Sequence, residues 1–138
     1  MAVFLDTNVL LYSISTDPGE AGKRGMALHL LDRIDCVLST QVLLEFYAQA
    51  TRPSRNGAVA HDNAMSLIEG LMRFPVQEND LLVLRSAFSL RKATGFSIWD
   101  CNVVAAAIAS GCTELYTEDL SHDRIVGGMR IINPFLGL

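Results

Sequence analysis

Short, wholly apolar runs that end at polar residues constrain the fold of this chain more than any other feature. Val3-Phe4-Leu5 and Cys36-Val37-Leu38 show no polar alternation, which is typical of strands buried on both faces of a sheet. Two more strands are predicted at Glu114 to Thr117 and Met129 to Ile132. Helical segments separate the strands, so we expect β-α-β units, a parallel sheet and helices on both of its faces.

Apolar periodicity and capping residues predict the helices. Thr51 to Gly57 is the most polar loop, and Phe74-Pro75-Val76 is expected to be a brief extended link. Since no repeat or linker interrupts the pattern, residues 1–138 are expected to form one domain. Helices are expected from Asn8, from Met26 to Ile34, from a Thr40 cap to before Pro53, from about His61 to Met72, from an Asn79 cap to near Gly95, and from Ile98 to Ser110 after a Ser97 cap.

Charge and cysteine usage limit the classes of function. A net charge of −4 argues against binding nucleic acid by bulk electrostatics, so any attraction for RNA has to be local, for example through bound Mg²⁺. Three cysteines without C-x-x-C spacing favour buried, reduced thiols over a zinc or redox site. We find no segment typical of a membrane span or a targeting signal, and we expect a cytoplasmic protein.

Four acidic residues are candidates for chemistry. Asp6 and Asp119 follow predicted strands, Asp100 lies in the first turn after Ser97, and Glu45 lies one turn into the helix after the second strand. The carboxyl ends of parallel strands share one edge, where ligands bind. Carboxylates that converge there repel each other unless cations neutralise them, and oxygen-only ligands select hard ions such as Mg²⁺ or Mn²⁺. We therefore predict a metal site, and both one tightly held ion and two loosely held ions stay open.

Each of these acids also has an ordinary structural interpretation. Asp6 alone fits a helix N-cap, Asp100 fits a capping box with Ser97, Glu45 fits a solvated charge, and Asp119 fits a turn. Their shared edge favours the metal site, because independent structural roles do not explain the joint placement. Two other kinds of α/β domain fit less well. The chain has neither the late lysine nor the D-x-D spacing of a receiver or haloacid dehalogenase domain, and it has no glycine fingerprint of a Rossmann domain.

Four motifs in order, spread over almost the whole chain, resemble those of the PIN domain family, particularly the VapC-like toxins of bacterial toxin-antitoxin pairs. The motifs are Phe4-Leu5-Asp6-Thr7-Asn8, Ser39 to Phe46, Ser97-Ile98-Trp99-Asp100 with Ala105 to Ala107, and Leu115 to Leu120 with Arg130 to Phe135. Any one of them is weak, whereas four in the right order at family-like spacing are specific.

The resemblance implies a three-layer α/β/α sandwich and Mg²⁺-dependent endonuclease activity on RNA, with Mn²⁺ as a substitute ion. It assigns the catalytic acids to Asp6, Glu45, Asp100 and Asp119, of which Asp6, Asp100 and Asp119 would hold the metal. Thr7 and Ser97 match the hydroxyl positions that support the metal site, although Ser97 also fits a plain helix cap. Water attack on a phosphodiester would leave a 5′-phosphate and a 3′-hydroxyl.

The resemblance also implies partners. A cognate antitoxin protein would inhibit the chain, and the family's habit predicts a homodimer. For the RNA backbone the candidates are Arg52 and Arg55 in the polar loop and Arg91-Lys92 before Gly95, although each fits a solvated surface charge as well. The alternative function is a PIN-like module that binds RNA or protein without cleaving it.

Overall fold

A six-stranded sheet runs through the middle of the protein, whose computed structural model describes residues 1–138. The strand order is β3-β2-β1-β4-β6-β5, and neighbouring strands are parallel except β5 and β6. The predicted α/β class with a mainly parallel central sheet is confirmed. The strands are β1 (Val3–Leu5), β2 (Cys36–Ser39), β3 (Val76–Gln77), β4 (Glu114–Tyr116), β5 (Ile125–Val126) and β6 (Met129–Ile132).

Six α-helices cover the sheet on two sides. The connections from β1 to β2 and from β2 to β3 run in one direction along the sheet, and the connection from β3 to β4 runs back in the other. Crossovers between parallel strands are right-handed, so a reversal of direction moves the connecting helices to the other face of the sheet. The first four helices therefore lie on one face, where α1 packs on α2 and α3, and the pair α5 and α6 lies on the opposite face. The helices are α1 (Thr7–Ser13), α2 (Ala21–Leu31), α3 (Thr40–Ala50), α4 (His61–Leu71), α5 (Leu81–Thr94) and α6 (Ile98–Ala109), with a 3₁₀ turn at Pro18–Glu20.

Local chemistry explains most helix boundaries. Ser97 accepts a hydrogen bond from the first turn of α6, and Gly95 ends α5 in the left-handed conformation (φ 76°), both as predicted. The cap of α3 is Ser39 and not the predicted Thr40, because the Ser39 hydroxyl accepts from the Val42 N–H and Thr40 is already the first residue of the helix. The cap of α5 is Asp80 and not the predicted Asn79, whose backbone N–H is instead bound by the Thr40 hydroxyl at 3.1 Å. Helix α2 begins at Ala21, directly after the 3₁₀ turn and ahead of the apolar residues from Met26 onward that predicted it, and it ends at Leu31, before Ile34.

The hydrophobic core lies on both faces of the sheet. All three residues of β1 and all four of β2 are buried, as their apolar sequences predict. The three cysteines are buried and unpaired, as expected, and burial raises the pKa of the Cys36 thiol to about 11. No helix is both long enough and apolar enough to cross a membrane.

The strand order also sets where a ligand can bind. The chain leaves β1 toward β2 on one side of the sheet, whereas β4 leads to β6 on the other side, so the order reverses between β1 and β4. In open α/β sheets such a reversal opens a crevice at the carboxyl ends of the two strands. Asp6 follows β1 and Thr117 follows β4 at this position.

Candidate active site

The four predicted acids, Asp6, Glu45, Asp100 and Asp119, lie together in one cavity of about 130 Å³ at the carboxyl ends of β1 and β4. We call this cavity the acidic crevice. No lysine, arginine or histidine lines it, so the carboxylates have no neighbouring cation. The acidic crevice is lined by Asp6, Thr7, Asn8, Leu11, Glu45, Gln49, Trp99, Asp100, Val103 and Asp119.

Asp6 is the most buried of the four acids, with 5% of its surface exposed. As the N-cap of α1, its Oδ1 accepts a hydrogen bond from the Thr7 N–H at 2.7 Å, and its Oδ2 accepts one from the Thr117 hydroxyl at 2.8 Å. The pKa of Asp6 is raised to about 6, chiefly by burial and also by the negative charges of Asp119 and Glu45, against the two hydrogen bonds that lower it. The N-cap role and the site role therefore coincide in one side chain.

Glu45 is held in the acidic crevice and is not a solvated charge. The Thr7 hydroxyl donates to its Oε2 at 2.9 Å, and the Gln41 amide, one turn earlier on α3, donates to its Oε1 at 2.8 Å. The buried Gln41 is held in turn by the Asn102 amide of α6, which donates to its Oε1. Thr7 thus contacts both Asp6, through its N–H, and Glu45, through its hydroxyl.

Asp119 is the most exposed of the acids, and Asn8 positions it. The Asn8 amide donates to Asp119 Oδ2 and to the Thr117 hydroxyl, both at 3.1 Å. The Thr117 hydroxyl also accepts from the Asp119 N–H at 3.1 Å while it donates to Asp6. One buried threonine therefore links Asp6, Asn8 and Asp119.

Asn8 and Thr117 are site residues that the sequence analysis did not single out. The only signal for Asn8 was its place in the motif Asp6-Thr7-Asn8, and for Thr117 its place as the first residue after β4. The Asn8 Oδ1 atom is buried without a hydrogen-bond partner. A buried acceptor of this kind at the acidic crevice can bind a cation or an ion's water.

Asp100 lies both in the first turn of α6 and on the wall of the acidic crevice. Its N–H donates to the Ser97 hydroxyl at 3.2 Å, so Ser97 is the N-cap of α6 and does not itself line the acidic crevice. The half-buried Asp100 carboxylate does line it, and burial raises its pKa, as do the charges of Asp119 and Glu45. Ser97 therefore contacts Asp100 as a helix cap, and its role in supporting a metal site stays a prediction.

The donor atoms of the acidic crevice fit a hard divalent cation. They are carboxylate and amide oxygens, their charges are uncompensated, and Asn8 adds an unpaired buried oxygen. As the side chains stand, no group of three or more His, Cys, Asp or Glu residues is arranged to hold a metal ion. In this arrangement Thr7 and Gln41 donate hydrogen bonds to Glu45, and Asn8 donates one to Asp119.

The four basic residues predicted for RNA binding have different surroundings. Arg52 is exposed, makes no side-chain hydrogen bond, and lines a shallow cavity beside the acidic crevice. Arg55 is half-buried and folds back toward the Leu11 carbonyl of α1, at 3.5 Å. Arg91 donates to the carbonyls of Gly95 and Phe96 at the end of its own helix. Neither Arg91 nor the exposed Lys92 lines the acidic crevice, so the structure does not bring these two to the acids.

Comparisons with known proteins found a matching family model and solved structures with a similar fold. The family model described as PIN domain matches residues 3–128 of the chain. A toxin-antitoxin complex from Klebsiella pneumoniae has a similar structure, with a TM-score of 0.72 and 18% identity over 98% of this chain and 98% of that chain. No curated protein matches the chain by sequence.

Two further solved structures share the fold. Mycobacterium tuberculosis VapC20, described as a sarcin-ricin loop cleaving toxin, has a TM-score of 0.66 and 16% identity over 86% of this chain and 92% of that chain. FitAcB from Neisseria gonorrhoeae has a TM-score of 0.64 and 19% identity over 97% of this chain and 99% of that chain.

Proposed function

Because the chain belongs to the PIN domain family, we propose that it is a Mg²⁺-dependent endoribonuclease and the toxin of a toxin-antitoxin pair. The observation that carries this proposal is the acidic crevice, where four carboxylates converge without a lysine, arginine or histidine among the lining residues. The similar structures add support, since one is described as a toxin that cleaves the sarcin-ricin loop and another as a toxin-antitoxin complex.

We propose that Asp6, Asp100 and Asp119 hold the ion and that Glu45 completes the catalytic set. When bound, a divalent ion supplies positive charge that neutralises the carboxylates, activates water and stabilises charge on the phosphoryl oxygens. Mn²⁺ should substitute for Mg²⁺, because both prefer oxygen ligands.

Hydrogen bonds from neighbouring residues hold the acids in position. Thr117 and the Thr7 N–H bind the two oxygens of Asp6, and hydrogen bonds to a carboxylate favour its charged form. Because the pKa of Asp6 is about 6, this group is mostly ionised at pH 7. Thr7 and Gln41 donate to the two oxygens of Glu45, so this carboxylate is held within the acidic crevice. Hydrolysis by water should leave a 5′-phosphate and a 3′-hydroxyl.

The RNA backbone needs cations near a crevice that is itself negative. Arg52 and Arg55 are the better candidates, because Arg52 is free and exposed and Arg55 lines a cavity that shares Asn8 and Leu11 with the acidic crevice. Arg91 and Lys92 are kept as weaker candidates, since Arg91 already binds two carbonyls of its own chain.

The proposed antitoxin would cover an apolar groove of about 630 Å³ between α3 and α4. These helices lie before and after the Thr51 to Gly57 loop, and Leu44 in the groove is 71% exposed. An amphipathic antitoxin helix fits such a surface, and an antitoxin arginine could pair with the carboxylates of the acidic crevice. The groove is lined by Thr40, Leu43, Leu44, Tyr47, His61, Met65 and Ile68.

A cytoplasmic location and a homodimer complete the proposal. Three buried, unpaired cysteines suit a reducing compartment. Exposed apolar side chains on α5, among them Leu82 and Phe88, offer a surface for a second copy of the chain. Light scattering of the purified protein would test the dimer.

A cleavage assay tests the enzyme. The wild-type protein should cut RNA in Mg²⁺ or Mn²⁺ and not in EDTA, and Asp6→Asn, Asp100→Asn or Asp119→Asn should each lower the rate at least ~10²-fold, because an amide keeps the shape without the charge. Asp32→Asn, an exposed acid at the end of α2, is the matched control and should leave the rate unchanged. Wild-type rates in the three site variants would refute the assignment.

The competing proposal is a module that binds RNA or protein without cutting. It predicts binding that is unaffected by Mg²⁺ and no new RNA ends at any metal concentration. End mapping on total RNA after incubation with Mg²⁺ or EDTA separates the two proposals.

A further inference from the structure

Trp99 is the only tryptophan of the chain, and 69% of its surface is exposed. It lies in the first turn of α6, next to Asp100, and its indole N–H makes no hydrogen bond within the protein. Indole has the largest apolar surface of any side chain, so leaving it in water is costly unless something covers it. Because Trp99 lies beside the acidic crevice, a substrate bound there is the candidate for covering the indole.

The indole lines two adjoining cavities. One is the acidic crevice, and the other is a shallow cavity of about 440 Å³ that we call the side cavity. Arg52 is the only lysine, arginine or histidine that lines either of them, and its guanidinium has no partner in the protein. The side cavity is lined by Glu45, Ala48, Gln49, Arg52 and Trp99.

Hydrogen bonds fix the backbone of Trp99 relative to the acids. The Gln41 amide donates both to the Trp99 carbonyl, at 3.4 Å, and to Glu45, at 2.8 Å. The Asn102 side chain, one turn later on α6, binds the other end of Gln41. Because Gln41 joins α3 to α6, the backbone of Trp99 and the Glu45 carboxylate are held next to each other.

We propose that Trp99 and Arg52 form a nucleotide subsite, where the base next to the cleaved phosphodiester stacks on the indole and Arg52 binds that nucleotide's phosphate. The subsite rests on the proposed ribonuclease function. Aromatic stacking requires an unpaired base with a free face, so the occupant is a nucleotide of single-stranded RNA and not of a duplex. The positive charge of Arg52 complements the negative phosphate, whereas the acidic side chains of the crevice alone would repel it.

Trp99 itself reports binding, because no other tryptophan contributes fluorescence. In EDTA, where cleavage is excluded, single-stranded RNA octamers should quench this fluorescence in a saturable way. The same octamers paired into duplexes, or made with abasic nucleotides, should quench it much less. Absence of quenching by the single-stranded octamers would overturn the subsite, and this holds whether or not the protein cleaves RNA.

Steady-state kinetics in Mg²⁺ test the same residues independently. Trp99→Ala should raise KM for single-stranded RNA roughly 10-fold to 100-fold with kcat nearly unchanged, whereas Trp99→Phe should recover most of the affinity. Arg52→Ala should raise KM and lower the slope of log affinity against log salt by about 0.7. Ile34→Ala and Arg24→Ala are matched controls at exposed positions outside both cavities and should behave as wild type.

The outcomes separate this inference from the proposed function. If the wild type cleaves RNA and Trp99→Ala has the same KM, the subsite is wrong and the ribonuclease stands. If the wild type cleaves no RNA, the ribonuclease proposal fails, and the fluorescence titration alone decides the subsite. If the indole responds only to a co-purifying protein and never to RNA, Trp99 is a protein contact and the subsite is refuted.

Discussion

Replacing Asp6 by asparagine should stabilise the metal-free protein at neutral pH. In the folded chain the pKa of Asp6 is raised from 3.8 to about 6, chiefly by burial. This displacement corresponds to about 3 kcal/mol of unfavourable free energy for the ionised group in the folded state. An asparagine at this position carries no charge and avoids that cost.

The sign of the effect depends on pH. Since the folded-state pKa lies above the unfolded value, the folded protein holds the Asp6 proton more tightly than the unfolded chain does. The favourable contribution of Asp6 to the free energy of unfolding is therefore fully present below pH 3.8 and is lost as the pH rises to about 6. Above that pH the ionised Asp6 lowers the free energy of unfolding of the wild type by the full amount, and Asp6→Asn is the more stable protein there.

One hydrogen bond opposes the gain. The Thr117 hydroxyl already accepts from Asn8 and from the Asp119 N–H, so its own proton has to go to Asp6 Oδ2. An asparagine N–H at that position offers no acceptor, and a lost hydrogen bond costs about 1 kcal/mol. The net gain at pH 8 is then about 2 kcal/mol, or roughly 8 °C in Tm for a domain of this size.

Thermal unfolding in EDTA at pH 8 and pH 4 measures the effect. Asp6→Asn should melt above the wild type at pH 8 and level with it or slightly below it at pH 4, and Mg²⁺ should stabilise the wild type more than the variant. Asp32→Asn, an exposed control, should show no such pH-dependent difference. If metal-free Asp6→Asn melts below the wild type at pH 8, the reasoning from buried, clustered charge is refuted.

Three other substitutions test neighbouring parts of the site. Thr117→Val removes the hydroxyl that binds Asp6 Oδ2, so the pKa of Asp6 should rise above 6, as measured by NMR titration in EDTA; an unchanged pKa would refute the role of that bond. Asn8→Asp brings a fifth carboxylate against Asp119, so the metal-free protein should lose at least about 1 kcal/mol at pH 8 and recover it in Mg²⁺; equal melting temperatures in EDTA would contradict this. Leu44→Asp in the proposed antitoxin groove should abolish co-purification of the antitoxin while cleavage in Mg²⁺ persists, whereas an intact complex would exclude that groove.

The sequence alone predicted the parts of the fold that depend on local chemistry. Uniformly apolar runs indicated β1 and β2, Ser97 and Gly95 marked helix ends, and the four acids were predicted at one sheet edge because parallel strands share their carboxyl ends. The strands β3 and β5 were not predicted, since each has two residues and no periodic pattern. Val76 is a strand residue only because it pairs with Leu38 of β2.

Only the tertiary structure decided how the acids are held. Thr117 lies 111 residues from Asp6 and 109 from Asn8 in sequence, so nothing local indicates the hydrogen bonds that join them. Trp99 lies on α6 and Arg52 in the loop after α3, and nothing local in the sequence indicates that they line one cavity. A sequence lists which side chains can donate, accept or carry charge, because that is a property of each residue. Which of them meet depends on long-range strand order and helix packing, and these are settled by burial of the whole core.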